Sequence, residues 1–227
     1  MIGFGRAHAV DGLGYPCGSK GRMPQVSDAP GSNVFQLHPS TKAATRKNAR
    51  AKRARVTTNR MVFAPQVYRL ARKLGRRRET GAPLRVAAYA SYGDEPCTDH
   101  LIAELLTVGH EVLLPRMVES GLAWVDMSID AEPEYAVNSQ GIREPQGPDV
   151  GLAGVHIVLV PALAVTRAGD RLGQGGGFYD RALAGVPRFA DRGPLLAAVV
   201  YAHEVLDEPT WPTEPHDIRM DAILAVE

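Results

Sequence analysis

Residues 156–183 read HIVLVPALAVTRAGDRLGQGGGFYDRAL, and the fold follows from them. The apolar run from Ile157 to Val160, stopped by Pro161, has the length and β-branched content of a buried strand. A polar turn, Thr166-Arg167-Ala168-Gly169-Asp170, comes next. It leads into Arg171-Leu172-Gly173-Gln174-Gly175-Gly176-Gly177, and then Phe178-Tyr179-Asp180-Arg181-Ala182-Leu183 can begin a helix. A glycine-rich loop between a strand and a helix exposes backbone N–H donors, because no Cβ blocks close approach. Those donors, with the positive end of the helix dipole, suit phosphate oxygens. Arg171 puts a positive charge at the start of the loop and Asp180 a carboxylate at its end. A carboxylate beside bound phosphates is most simply explained by Mg2+ bridging the two. The loop is not a Walker A sequence, since no Gly-Lys-Ser/Thr follows, and its glycines lack the dinucleotide-binding spacing. As a bare turn it would need its glycines but not the flanking Arg and Asp.

Outward from this stretch, apolar runs alternate with helical patterns. Upstream, residues 84–91 (LRVAAYAS) read as a strand and 92–98 as a turn. Thr98 is placed to cap a helix over 99–108, which Gly109 stops. Residues 111–114 form a second strand, ended by Pro115-Arg116, and 121–127 a third. Residues 131–150 read as loop. Downstream, 195–201 and 221–226 are strands, with the loop Trp211-Pro212-Thr213-Glu214-Pro215-His216-Asp217 before the last. Strands alternating with helices imply an α/β three-layer sandwich with a largely parallel central sheet. Ligands in such sheets sit at the C-terminal strand edges. The turn at 92–98, the glycine loop over 171–177 and the turn at 211–217 are therefore expected to converge on one cleft.

Towards the N-terminus, Ser40-Thr41 can cap a helix from Lys42 to about Val56. Its alanine- and arginine-rich interior buries little, so it must dock weakly or be held by a ligand. Met61, Ala64, Val67, Tyr68, Ala71 and Leu74 recur at helical steps, with Pro65 delaying the regular part to about Ala64. Residues 1–40, rich in Gly, Pro, Ser and Asn, show no sustained apolar period. They read as a disordered or loosely attached extension before a single domain over 41–227. The chain of 227 residues is 44% hydrophobic and 22% charged, as in ordinary globular proteins. Its net charge of +1 hides an acid-free basic segment over 42–78. Cys17 and Cys97 make neither a disulfide framework nor a metal site, and no apolar run approaches a bilayer span. A cytoplasmic, monomeric protein with no membrane partner is expected.

Several of these segments together resemble the 5-formyltetrahydrofolate cyclo-ligase (methenyltetrahydrofolate synthetase) family. RLGQGGGFYDR is similar to that family's RLGxGxGYYDR segment. YGDEPCT with the following LI, LLPR, GIREP, VPALAV, EPHDIRMDAIL and TKAATRKNARAKR match other family segments in type and order, over roughly residues 40–227. The resemblance implies ATP- and Mg2+-dependent closure of 5-formyltetrahydrofolate to 5,10-methenyltetrahydrofolate. It implies that Lys42 and Arg46, one helical turn apart, contact the ATP phosphates. Arg171 and the backbone of Leu172, Gly173, Gln174, Gly175, Gly176, Gly177, Phe178 and Tyr179 would cradle the triphosphate, with Gln174 to Phe178 also bordering the folate. Glu95 would pair with the pterin N–H donors and Ala90 touch the substrate through its backbone. Asp180 and Asp217 would hold Mg2+, and Arg171 and Asp180 would act in catalysis. Trp124 is a weaker candidate wall residue. His216, beside Asp217, either touches phosphate or borders the loop.

The sequence departs from the family pattern at Cys97 and Thr166, where carboxylates or similar polar groups are usual, and at Thr45, which replaces a Leu. The first two raise the alternative of a folate- or nucleotide-binding relative without turnover, recognisable by ligand binding without ADP release. The basic 42–78 segment raises a second, a nucleic-acid-binding module. Against it stand the lack of a reading motif and the presence of only Phe63 and Tyr68 as aromatics there, so no nucleic acid partner is expected.

Overall fold

The computed structural model describes residues 41–55, 64–73, 82–127, 134–139 and 141–226. The expected extension over 1–40 and the helical positions Met61 and Leu74 lie outside the described residues. In chain order the elements are α1 (Lys42–Arg53), α2 (Ala64–Lys73), β1 (Arg85–Ala87), α3 (Asp99–Thr107), β2 (Glu111–Val118) and β3 (Gly121–Asp126). They continue with β4 (Tyr135–Val137), β5 (Arg143–Pro145), β6 (Ile157–Pro161), β7 (Ala164–Thr166) and β8 (Arg171–Leu172). The last are α4 (Phe178–Leu183), β9 (Leu195–Tyr201), β10 (Val205–Leu206) and β11 (Ala222–Val226).

The central sheet has the order β11-β9-β6-β1-β2-β3. Every pairing in it is parallel except β2 with β3. Strands buried on both faces need apolar side chains at consecutive positions, and β6 and β9 have them. Ile157 and Leu159 join one core with Leu195, Ala197 and Val199, while Val158 and Val160 join a second with Leu196, Ala198 and Val200. The first core is closed by Val67 and Leu70 of α2 with Leu101 and Leu105 of α3. The second is closed by Leu183 of α4, with Tyr179 packed against it. The expected α/β architecture with a mostly parallel sheet is thus present.

Four local expectations change, the first being that the strand read over 84–91 covers only Arg85–Ala87. The second strand does not end at Pro115 but runs through it to Val118. Trp124, opposite Pro115, turns its N–H to Asp149 and its C=O to the Val150 N–H. The Pro115–Trp124 pair is therefore not hydrogen-bonded, and the missing proline N–H lies on the far side, past the end of β1. The 131–150 loop contains an antiparallel hairpin, β4–β5. It is tied to β2 by Glu144, which accepts from Met117 N and Asn138 Nδ2. Thr98 holds the N-cap position of α3 without capping it, since its hydroxyl donates to the Tyr89 carbonyl instead. Among the described residues, no helix is long and apolar enough to cross a membrane.

Candidate active site

The strand order reverses between β1 and β6, because β2 and β3 extend from one and β9 and β11 from the other. A crevice at the C-terminal ends of β1 and β6 is where such sheets hold ligands. The turn bearing Glu95 follows β1. The glycine loop comes after β6, but not directly. A short antiparallel pair, β7–β8, stands between them, and the helix after the loop has only six residues. Any anion held there is met by loop amides and neighbouring side chains rather than by the dipole of a long helix. Thr166 closes the turn of this hairpin: its Oγ1 accepts from Asp170 N at 3.0 Å and donates to Asp170 Oδ2 at 3.1 Å. Arg219 Nε donates to the other oxygen of Asp170 at 2.9 Å. Thr166 is completely buried.

Helix α1 starts as the sequence indicates, with Thr41 Oγ1 accepting from Ala44 N at 3.2 Å. Its docking is polar. Lys42 Nζ lies 2.6 Å from Glu214 Oε2 and 3.0 Å from Asp217 Oδ2. Arg46 Nε donates to the Gly173 carbonyl at 3.0 Å. Arg50 reaches the side chain and the carbonyl of Gln174 at 3.1 and 3.0 Å. Arg53 is buried on Glu204. The predicted basic pair, Lys42 and Arg46, thus faces the glycine loop and the 214–217 loop, and Arg50 and Arg53 prolong the row. That continuation was readable in the sequence, because 42, 46, 50 and 53 fall at four- and three-residue steps on one face. No sequence signal marked Glu204 as its buried partner. Burial alone would lower the Lys42 pKa, but the Glu214 and Asp217 carboxylates outweigh it and raise it. Burial would raise the Asp217 carboxyl; the Glu214 amide and Lys42 instead bring it below the ordinary value.

Arg171 is buried, and its Nη2 lies 2.7 Å from Asp180 Oδ1. Asp180 Oδ1 also accepts from Ile218 N at 3.3 Å, which sets α4 against the chain one residue beyond Asp217. The two acids expected to share a metal therefore border the same loop with different cationic partners. Glu214, which the sequence reading passed over, and His216 bring ligand atoms within 4.8 Å of one another and of Asp217. The carboxylate oxygens of Glu214 and Asp217 are the hard donors that suit Mg2+. His216 is exposed.

Across the glycine loop, Glu95 Oε2 accepts from Tyr92 N at 3.2 Å and its Oε1 from Gln174 Nε2 at 3.4 Å. Burial raises the Glu95 pKa, partly offset by the Tyr92 amide and by Arg53. Tyr179 has a buried hydroxyl with no protein partner, and its phenol is shifted upward by burial and by Glu95. Arg171 Nε is likewise buried and unpartnered. Orphaned buried polar groups cost about 1–3 kcal/mol each, so two of them beside the glycine loop fit a region that gains from a polar ligand. Trp124 meets the Tyr179 ring edge-on at 6.3 Å. Phe178 carries the Arg181 guanidinium 5.0 Å above its ring. A Cβ at Gly176 would lie 2.7 Å from that ring, and one at Gly175 3.3 Å from the Arg46 guanidinium. Ala90 is half-buried on the segment between β1 and Glu95. Cys97 is buried and in no disulfide, and burial raises the nearby Asp99 carboxyl, partly offset by Cys97.

The model of the 5-formyltetrahydrofolate cyclo-ligase family matches residues 38–226. A 5-formyltetrahydrofolate cyclo-ligase from Mycolicibacterium smegmatis is 40% identical over 146 residues, 61% of this chain and 72% of that protein. One from Escherichia coli K12 is 29% identical over 143 residues, 61% of this chain and 76% of that protein. The structure of Aquifex aeolicus 5,10-methenyltetrahydrofolate synthetase superposes with a TM-score of 0.60 at 25% identity, covering 81% of this chain and 89% of that one. With nearly the whole described chain matched, and the fold matched as well, the protein belongs to the 5-formyltetrahydrofolate cyclo-ligase family of ligases.

Proposed function

We propose that this protein closes 5-formyltetrahydrofolate to 5,10-methenyltetrahydrofolate, consuming ATP in the presence of Mg2+ and releasing ADP and phosphate. One observation carries the reading. Gln174 joins two unlike half-sites, a cationic cradle of Lys42, Arg46 and Arg50 on one side and the carboxylate Glu95 on the other. A nucleotide triphosphate matches the first. A carboxylate accepting from paired N–H donors of a pterin matches the second.

In the proposed reaction the formyl oxygen takes the γ-phosphoryl group, giving an imino-phosphate. The neighbouring folate nitrogen then attacks the formyl carbon and phosphate leaves. Such chemistry asks the protein for positioning and charge neutralisation. Lys42, Arg46, Arg171 and the backbone from Leu172 to Tyr179 would hold ATP. Glu95, the Ala90 backbone and the loop from Gln174 to Phe178 would hold the folate. Asp217 and Asp180 would hold Mg2+, which offsets phosphate charge when bound, and Glu214 is a third candidate. Lys42 is paired with Asp217 and Glu214, so those carboxylates would be open to Mg2+ only with the Lys42 ammonium turned to the phosphates. The proposal includes a single domain over 41–227, a monomer, and a cytoplasmic setting. The inward engagement of Lys42, Arg46, Arg50 and Arg53 argues against a free basic face tracking nucleic acid.

The test is absorbance at the methenyl band on mixing the protein with 5-formyltetrahydrofolate and MgATP, against Asp180→Ala. ATP-dependent growth of the band, lost in the variant, supports the proposal. No band from a folded wild-type protein rejects it.

A further inference from the structure

Arg53 is the one buried residue of α1. Its Nε and Nη2 meet Glu204 Oε1 and Oε2 at 2.6 and 2.8 Å, a two-pronged pair in which both side chains are 3% exposed. Nη2 also donates to the Ala162 carbonyl. Glu204 stands just after β9 and Ala162 just after β6. Glu95, on the turn after β1, is within electrostatic reach of Arg53. Arg53 therefore sits over the C-terminal ends of three adjacent central strands, at the point where the sheet order reverses.

The pair continues to the Glu95 turn through a second route. Glu204 Oε2 accepts from Tyr201 N at 2.9 Å, and the Tyr201 hydroxyl donates to the Asp94 carbonyl at 3.3 Å. The Arg53 guanidinium lies 5.6 Å from the centre of the Tyr201 ring. A buried ion pair adds little stability over a well-packed apolar pair, because desolvation cancels most of the attraction. What the two-pronged geometry adds is direction. It fixes the rotation and height of α1, and so the placement of Lys42, Arg46 and Arg50 on the same face.

We infer that Arg53 is a positioning residue, paired with Glu204, that couples seating of the nucleotide helix α1 to the turn carrying Glu95, so that the two substrates bind cooperatively. This rests on the proposed function for what each half-site holds. ATP favours α1 seated. Seating places Arg53 on Glu204, which orders Tyr201 and Asp94 and holds Glu95 for the folate. By linkage the folate favours ATP by the same factor.

The test is titration of the full chain with a non-hydrolysable MgATP analogue, with and without saturating 5-formyltetrahydrofolate. The variants are Arg53→Met/Glu204→Met and Arg53→Lys. Folate is expected to tighten analogue binding to wild type by at least about fivefold. The double variant stays folded, binds each ligand, and shows a factor near one. Arg53→Lys keeps the charge but not the two-pronged contact and does not restore coupling. Should the double variant fail to fold, Glu204→Gln, which keeps an acceptor for Tyr201 N, replaces it with the same expected loss. Wild-type coupling in a folded variant overturns the inference, as does a wild type that binds both ligands independently. A wild type that does not bind 5-formyltetrahydrofolate at all rejects the cyclo-ligase reading itself, and the inference falls with it.

Discussion

Replacing Gly169 with alanine is expected to be costly although the residue is not among the proposed ligand contacts. Gly169 has φ +94°, and a Cβ there would lie 2.3 Å from the Met220 carbonyl oxygen. Met220 N also donates to the Gly169 carbonyl at 2.9 Å, so two backbones are held against each other without side chains between them. Positive φ costs an L-residue about 1–2 kcal/mol. Opening the gap by about 1 Å adds an overpacking cost of about 1–3 kcal/mol. The reduced freedom of the unfolded chain returns only about 0.4–1 kcal/mol. The net loss is about 1–5 kcal/mol, which lowers Tm by roughly 2–20 °C for a chain of this size. The damage reaches the site, because this contact sets the β7–β8 turn against the chain that carries Ile218, the partner of Asp180. Thermal unfolding followed by circular dichroism measures the loss. Gly185→Ala is the control, since a Cβ there meets nothing within 4 Å. A Gly169→Ala protein with Tm within 2 °C of wild type would refute the close-approach argument.

Glu95→Gln should weaken 5-formyltetrahydrofolate binding about 10- to 100-fold, the range of a charged hydrogen bond, with ATP affinity little changed in calorimetry. Because burial raises the Glu95 pKa, the folded state takes up its proton more readily than the unfolded chain. Glu95 therefore lowers stability as pH rises from the ordinary carboxylate value through the raised one. The Tm of Glu95→Gln relative to wild type should climb across that window and then level; a constant difference would contradict it. Lys42→Ala should raise the KM for ATP at least tenfold while changing stability by no more than about 1 kcal/mol, since the pair is partly exposed. In the same variant the Asp217 carboxyl, now held low, should titrate at higher pH by NMR. The stabilisation this pair gives Asp217 is present above the ordinary carboxylate range and is lost as pH falls through the depressed value. Chelation of Mg2+ should stop turnover, and Asp217→Asn should raise the Mg2+ concentration for half-maximal rate; turnover in excess EDTA would count against the metal assignment.

Much of the framework was legible because it depends on local pattern. The apolar runs of β6 and β9 have the length and β-branched content of buried strands, and Thr41 before a basic helix announces α1. Arg171 and Asp180 stand nine residues apart around a glycine loop, and their spacing already suggested a shared site. Other features were hidden for identifiable reasons. Pro115 looked like a strand end because the sequence does not say which side of a residue the ladder uses. The β4–β5 hairpin is too short to show a period. Thr166 looked like a missing carboxylate, whereas its hydroxyl completes a buried turn with Asp170.

The sequence by itself determined the α/β alternation, the glycine loop, the run of cations from Lys42 to Arg53, and the family to which they belong. Tertiary structure decided which groups meet. Arg53 finds Glu204 across 151 positions and Lys42 finds Asp217 across 175. Periodicity reports which face of an element is apolar. It carries no information on which distant loop closes over that element, because that is set by the order of strands in the sheet.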